Sequence, residues 1–335
     1  MSKIYGKKLI SILILPALLI SLSLPNLSAC QQQGQPAEEK KTPVIGLAWP
    51  DRTQEYNESW CLTIEAAGAI PVILEEVRFN EDWYDDSGKL QSKCLDSGGM
   101  LSQACANDVK LNTYFKSNVE SVLQGVDAVI FPGGDDISLT LLENPIPQNT
   151  YEGYNPTRDI SDYLLMNYCI DNNIPTLCIC RGIQMLGIVA GCSLVEDIPN
   201  YCEQNSIPNK FAHRMSLDLG EENMDYVPHA IDIVESNAYL SGATNGASKT
   251  ALMPSWHHQS ITNLENTQLK INAYSDTPDG YRSIEAVEYT GKRLIVGIQF
   301  HPEYIVREKL YSNMDHPPFS YNECLPFLSS FVSLV

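Results

Sequence analysis

Basic residues are scarce in this chain. Its 335 residues carry 22 Lys and Arg against 41 Asp and Glu, a formal net charge of -19. A nucleic-acid partner requires basic surface to neutralise phosphates, so that class is excluded. The acidity reads as the solubilising surface of a secreted or surface protein. No CxxC pair stands opposite a second one, so a structural zinc site is unsupported. The N-terminal apolar run, residues 9–24, is short for the roughly 20 residues of a membrane span, and Pro16 interrupts it. There is no internal repeat and no domain linker after residue 42, which leaves one domain.

What the sequence does contain begins with a targeting segment. Lys3, Lys7 and Lys8 precede the apolar run, as in a signal peptide. The run ends in Leu27-Ser28-Ala29-Cys30, which resembles a bacterial lipobox. That resemblance implies cleavage before Cys30 and acylation of the cysteine. Residues 1–29 are then a lipoprotein signal peptide, and residues 30–42 are a lipidated Cys with a polar tether. The expected location is extracytoplasmic, with a lipid anchor in a bacterial membrane. Such a compartment permits disulfides, and Cys94 with Cys105 is the best candidate pair among the remaining cysteines.

From residue 43 to 335, short apolar runs alternate with longer amphipathic stretches, the pattern of an α/β sheet. Strands are predicted at 44–48, 71–74, 127–131, 175–179, 230–234, 269–273, 283–287 and 294–300. Helices are predicted at 56–69, 119–124, 158–172 and 182–190, with one more around 326–332. Residues 75–112 are polar and punctuated by Gly and Ser, and read as an inserted surface loop.

Three motifs carry chemistry. In Thr176-Leu-Cys-Ile-Cys180-Arg-Gly-Ile-Gln, a β-run feeds directly into Cys180 and a helix follows. A thiol at a strand-to-helix turn is held out from the backbone, and the helix N-terminus favours its thiolate. Gln299-Phe300-His301-Pro302-Glu303 closes a later strand. Residues two apart on an extended chain share a side, so Glu303 can orient the His301 ring. Phe131-Pro132-Gly133-Gly134-Asp135-Asp136 is a tight turn after a strand, where backbone amides can approach a substrate closely.

The run Ile179-Cys180-Arg181-Gly182-Ile183-Gln184, the PGG turn and the Q-F-HPE run resemble class I glutamine amidotransferases. They resemble above all the gamma-glutamyl-gamma-aminobutyrate hydrolase-like branch. Ser255-Trp256-His257-His258-Gln259 is similar to that branch's NSxHHQ segment, with Pro254 at the usual Asn position. Asp279-Gly280 followed by Ile284-Glu285-Ala286 is similar to its DGxIEA. The order of the motifs is more specific than any one of them.

The resemblance implies a flavodoxin-like three-layer α/β/α sandwich with a mostly parallel sheet and a nucleophile elbow. It implies a catalytic triad of Cys180, His301 and Glu303, and oxyanion amides at Gly134 and Arg181. Gln184, Asp135, His257, His258, Gln259 and His229 are expected to border the substrate, with Gln184 and the Arg181 side chain gripping a glutamyl group. His213 and His316, which lie outside these motifs, are expected at the surface. The implied reaction is hydrolysis of a small gamma-glutamyl amide through a thioester, without metal or organic cofactor. A cell-wall gamma-glutamyl peptidase or amidase and a non-catalytic surface binding lipoprotein are the alternatives. A homodimer is compatible with the sequence.

Overall fold

The β-branched and leucine-rich runs become strands, and most of the amphipathic stretches between them become helices. In the computed structural model the described residues are 41–49, 53–146, 153–210, 212–214, 226–277 and 279–335. The proposed signal peptide, Cys30 and nearly all of the tether lie outside them. The first half contains β1 (Val44–Leu47), α1 (Gln54–Ala66), β2 (Ile70–Ile73), α2 (Gln103–Asn112), α3 (Val119–Val122) and β3 (Ala128–Phe131). Then follow α4 (Pro156–Asp171), β4 (Thr176–Ile179), α5 (Arg181–Val189), β5 (Ser193–Val195) and α6 (Ile198–Gln204). The second half has β6 (Val227–His229), β7 (Ile231–Ile233), α7 (Ala238–Thr244), β8 (Met253–Ser255) and β9 (Ser260–Thr262). It ends with β10 (Leu269–Ser275), β11 (Ile284–Tyr289), β12 (Ile295–Ile298), α8 (Pro302–Tyr311) and α9 (Tyr321–Leu334).

Eight strands form one sheet in the order β2-β1-β3-β4-β12-β11-β10-β7. β2, β1, β3, β4 and β12 run parallel. β11, β10 and β7 then add antiparallel pairings. Every residue of β3 and β4 is buried, as expected for strands covered on both faces. Alternate side chains go to opposite layers. Val129, Phe131 and Cys178 pack with α4 and α5, whereas Ala128, Ile130, Leu177 and Ile179 pack with α1, α8 and α9. The fold is therefore the expected α/β/α sandwich, with a large and mostly parallel sheet. β4 and β12 are neighbours at its centre, so the segments leaving their carboxyl ends, Cys180 and His301, emerge side by side.

Residues 75–112 are not simply a surface loop. They bury Val77, Phe79, Trp83, Leu90, Leu101 and Val109, and end in α2, which Ser102 caps by accepting from the Cys105 amide. They also hold an internal repeat of two similar turns, Asp85 to Leu90 and Asp96 to Leu101. In each, the Asp carboxylate accepts from the amides two and four residues ahead: Ser87 and Lys89 for Asp85, Gly98 and Met100 for Asp96. Each has a glycine at positive φ, Gly88 at 80° and Gly99 at 85°. Each closes with a one-residue antiparallel bridge, Tyr84 with Leu90 and Leu95 with Leu101. Isolated Leu and Met between Asx turns bury well but show no helical or strand period, which is why they read as loop. Cys94 and Cys105 meet inside this unit as free thiols rather than a disulfide. Burial, then the neighbouring Cys105, pushes the Cys94 thiol up to about 12. Among the described residues no helix is long and apolar enough to cross a membrane.

Candidate active site

The elbow follows from local sterics. Cys180 sits between β4 and α5 with φ 51° and ψ -104°, a backbone conformation that an L-residue adopts only at a cost of about 1–3 kcal/mol. Its amide donates to Ile298 O on β12 at 2.8 Å, which pins the turn to the sheet. Gly182 lets α5 begin against β3, since a Cβ there would lie 2.6 Å from the carbonyl oxygen of Phe131. Cys178 does not crowd the turn. Its side chain is buried beside Met166 of α4.

His301 is the N-cap of α8, with Pro302 in the first turn. Glu303 is thus a first-turn helical residue, and it is the helix, not an extended chain, that carries it back to the ring. His301 Nδ1 donates to Glu303 Oε1 at 2.7 Å, and Nε2 has no hydrogen-bond partner among the described residues. Burial alone would lower the imidazole pKa, but the adjacent Cys180 sulfur and Glu303 carboxylate outweigh it and hold the pKa well above the usual value. Gly133 touches both groups. A Cβ there would lie 2.8 Å from His301 Cε1 and 3.5 Å from Cys180 Cβ. Tyr226, which lies in none of the motifs, sets its ring edge-on 5.5 Å from His301 and tilted 4.2 Å from Tyr304.

The Arg181 side chain is not available to a substrate. Its guanidinium is fully buried, 2.5 Å from Asp159 Oδ1, and also bonds Asp162. Asp162 in turn accepts from Arg158 Nε at 3.1 Å, and Arg158 Nη2 donates to Pro132 O at 2.8 Å. Two arginines and two α4 carboxylates thus link the elbow to the PGG turn. None of Arg158, Asp159 and Asp162 lies in a recognisable motif. Their one sequence signal is charge on a helix that should otherwise be buried.

The remaining predicted residues separate into three groups. Gln184 donates to Gln259 O at 3.4 Å, and Asp135 is partly exposed on the turn. His258 is held between Asp136 Oδ1 and Asp197 Oδ1, at 3.0 Å each. Asp197 also caps α6, so His258 ties that helix to the PGG turn rather than facing a ligand. His257 and His229 turn toward Glu285, at 3.6 and 3.8 Å. His213, expected at the surface, joins them with 1% exposure, 3.6 Å from the same carboxylate. His316 is half-buried against Tyr304.

A cysteine at a strand-to-helix elbow, with an imidazole oriented by a carboxylate beside it, defines a glutamine amidotransferase-like hydrolase on a mostly parallel α/β sheet. The Peptidase C26 family profile matches residues 81–303, and the chain belongs to that family. A putative glutamine amidotransferase-like protein of Rickettsia prowazekii is 28% identical over 220 residues, covering 57% of this chain and 75% of that protein. The protein NtpR of Enterococcus hirae is 30% identical over 204 residues, covering 61% and 77%. The gamma-glutamyl-gamma-aminobutyrate hydrolase PuuD of Escherichia coli K12 is 26% identical over 194 residues, covering 56% and 68%. Among solved structures, a glutamine amidotransferase of Thermotoga maritima overlaps with TM-score 0.45 at 15% identity, over 87% of this chain and 96% of that one.

Proposed function

We propose that the protein hydrolyses a gamma-glutamyl amide through a thioester on Cys180. The observation that carries this reading is the hydrogen-bonded pair of Glu303 and His301, with its Nε2 beside Cys180. Cys180 Sγ forms a bond to the side-chain amide carbon, and the carbonyl oxygen takes negative charge. The amides of Gly134 and Arg181 would receive that charge, a contribution of about 3–4 kcal/mol per donor. Collapse breaks the C–N bond, and His301 gives its proton to the departing amine. Water then attacks the thioester while His301 accepts its proton, releasing a gamma-carboxylate and restoring the thiol. The names of the Escherichia coli relatives support a gamma-glutamyl-amine substrate. The lipobox-like Leu27–Cys30 supports work outside the cytoplasm, where gamma-glutamyl bonds of cell-wall peptides are a second substrate class.

The test is amine release by residues 31–335 from glutamine, gamma-glutamyl-GABA, a gamma-glutamyl dipeptide and a muropeptide. Turnover of gamma-glutamyl-GABA or glutamine supports amine hydrolysis, and turnover confined to the muropeptide supports wall processing. Absence of turnover on every member contradicts the proposal.

A further inference from the structure

His213, His229, His257 and Glu285 come from four separate segments and converge on one buried point behind the strand that leads to Trp256. Glu285 is fully buried, and the three histidines are at most 5% exposed. Nδ1 of His213, Nε2 of His257 and Nε2 of His229 lie 3.6, 3.6 and 3.8 Å from Glu285 Oε1. The donor atoms of His213, His229 and Glu285 all lie within 4.8 Å of one another.

The backbone fixes which nitrogens carry lone pairs. His213 Nε2 is 2.6 Å from Tyr281 O, and His257 Nδ1 is 2.8 Å from Gln259 O. A carbonyl only accepts, so each of those nitrogens bears the proton in the neutral ring. The opposite nitrogens, Nδ1 of His213 and Nε2 of His257, are then bare lone pairs, and neither has a hydrogen-bond partner among the described residues. Both ring nitrogens of His229 and Oε2 of Glu285 are likewise without one. Imidazoles whose far N–H is anchored on a carbonyl while the near lone pair faces a carboxylate have the arrangement of metal ligands. Without a cation, lone pairs would face a carboxylate and repel it.

The cluster holds no other cation: among the described residues no Lys or Arg pairs with Glu285. Ser283, whose hydroxyl donates to Glu285, brings no charge.

We propose that His213 Nδ1, His229 Nε2, His257 Nε2 and Glu285 bind one divalent transition-metal ion of the zinc type. Four-coordinate zinc takes His nitrogens at about 2.0–2.1 Å, which sets tetrahedral donor atoms roughly 3.3 Å apart. The three distances to Glu285 Oε1 need to contract by only a few tenths of an ångström, and the histidine nitrogens must draw closer to one another as the ion enters. Four protein ligands close the coordination shell, so the ion is structural rather than catalytic. Ser283 and the carbonyls of Tyr281 and Gln259 form its outer shell. A cavity of about 670 Å³, lined by Val227, His229, Leu252 and Asp276 among others, gives access from the surface. The ion would brace Trp256, whose carbonyl lies 3.9 Å from Cys180 Sγ, against β6 and β11. A reading by spacing fails here because the tandem His257-His258 points two ways, and one histidine alone joins the set.

The experiment is Zn2+ and Co2+ binding to the chelator-treated protein, residues 31–335, with Glu285→Gln and His229→Asn beside it. The expected result is one ion per chain, tetrahedral Co2+ absorption in the visible, and a thermal midpoint that rises with added Zn2+. Each variant, checked by circular dichroism for the native fold, should bind Zn2+ more weakly by over ~100-fold. His258→Asn, outside the set, should keep the stoichiometry and the Co2+ spectrum. No bound ion in the wild type, or unchanged binding in folded Glu285→Gln and His229→Asn, overturns the proposal.

Discussion

A Cβ on Gly133 would stand 2.8 Å from Cε1 of His301. The PGG turn therefore sets how near the imidazole at the start of α8 can come to the elbow, in addition to offering amides. Gly133→Ala should displace the imidazole ring and lower kcat/KM by about 100-fold, the cost of misplacing a reacting group by about an ångström. Its thermal midpoint should stay close to that of the wild type, because His301 can shift while the sheet stays packed. Unchanged kcat/KM would show that the turn does not limit the ring.

Arg181 belongs to the scaffold of the elbow. Removing its charge by Arg181→Met leaves Asp159 and Asp162 buried beside Arg158 alone. Breaking a buried charge network in this way costs about 3–5 kcal/mol, which urea unfolding would read directly. A loss below about 0.5 kcal/mol, with KM raised instead, would return Arg181 to the substrate.

The raised His301 pKa sets a pH dependence with a definite sign. Its folded value lies above the unfolded one of about 6.5. The stabilisation is therefore fully present below pH 6.5 and is lost as pH rises through the folded pKa. The same proton serves the leaving amine, so the alkaline limb of kcat/KM should fall well above pH 6.5. Glu303→Gln removes one of the two charges holding the proton, and should move that limb to lower pH. An alkaline limb near 6.5 in the wild type, unmoved by Glu303→Gln, would contradict the assignment.

These relationships were unequally visible in the sequence. The strands ending at Phe131, Ile179 and Phe300 showed as apolar runs, and each ends in a motif whose geometry is local: PGG, CRG, HPE. Their convergence needs two non-local facts, that β3 neighbours β4 and that β4 neighbours β12. The Arg181 pairs and the Glu285 cluster are non-local throughout. His213 and Glu285 are 72 residues apart in sequence, and no period or spacing joins them. α8 was missed because the HPE run was taken as the extended end of a strand, whereas Pro302 is the first residue of a helix. The turn repeat at Asp85 and Asp96 was missed because its signal is Asx chemistry rather than hydrophobic period.

Cys94 and Cys105 adjoin as thiols within a buried unit, and an oxidising compartment should join them. Thiol titration of denatured protein, after oxidation of the native form, should find two fewer free thiols than in the reduced protein. Cys94→Ala should abolish that difference. A full complement of thiols in the oxidised wild type would mean the pair is held apart.

The most direct test of the central claim is the mass of the protein quenched in acid during turnover of a gamma-glutamyl amide. A gamma-glutamyl adduct on the peptide containing Cys180, absent in Cys180→Ala together with all amine release, is the predicted result. Amine release that persists in Cys180→Ala, or an adduct on another residue, would contradict it.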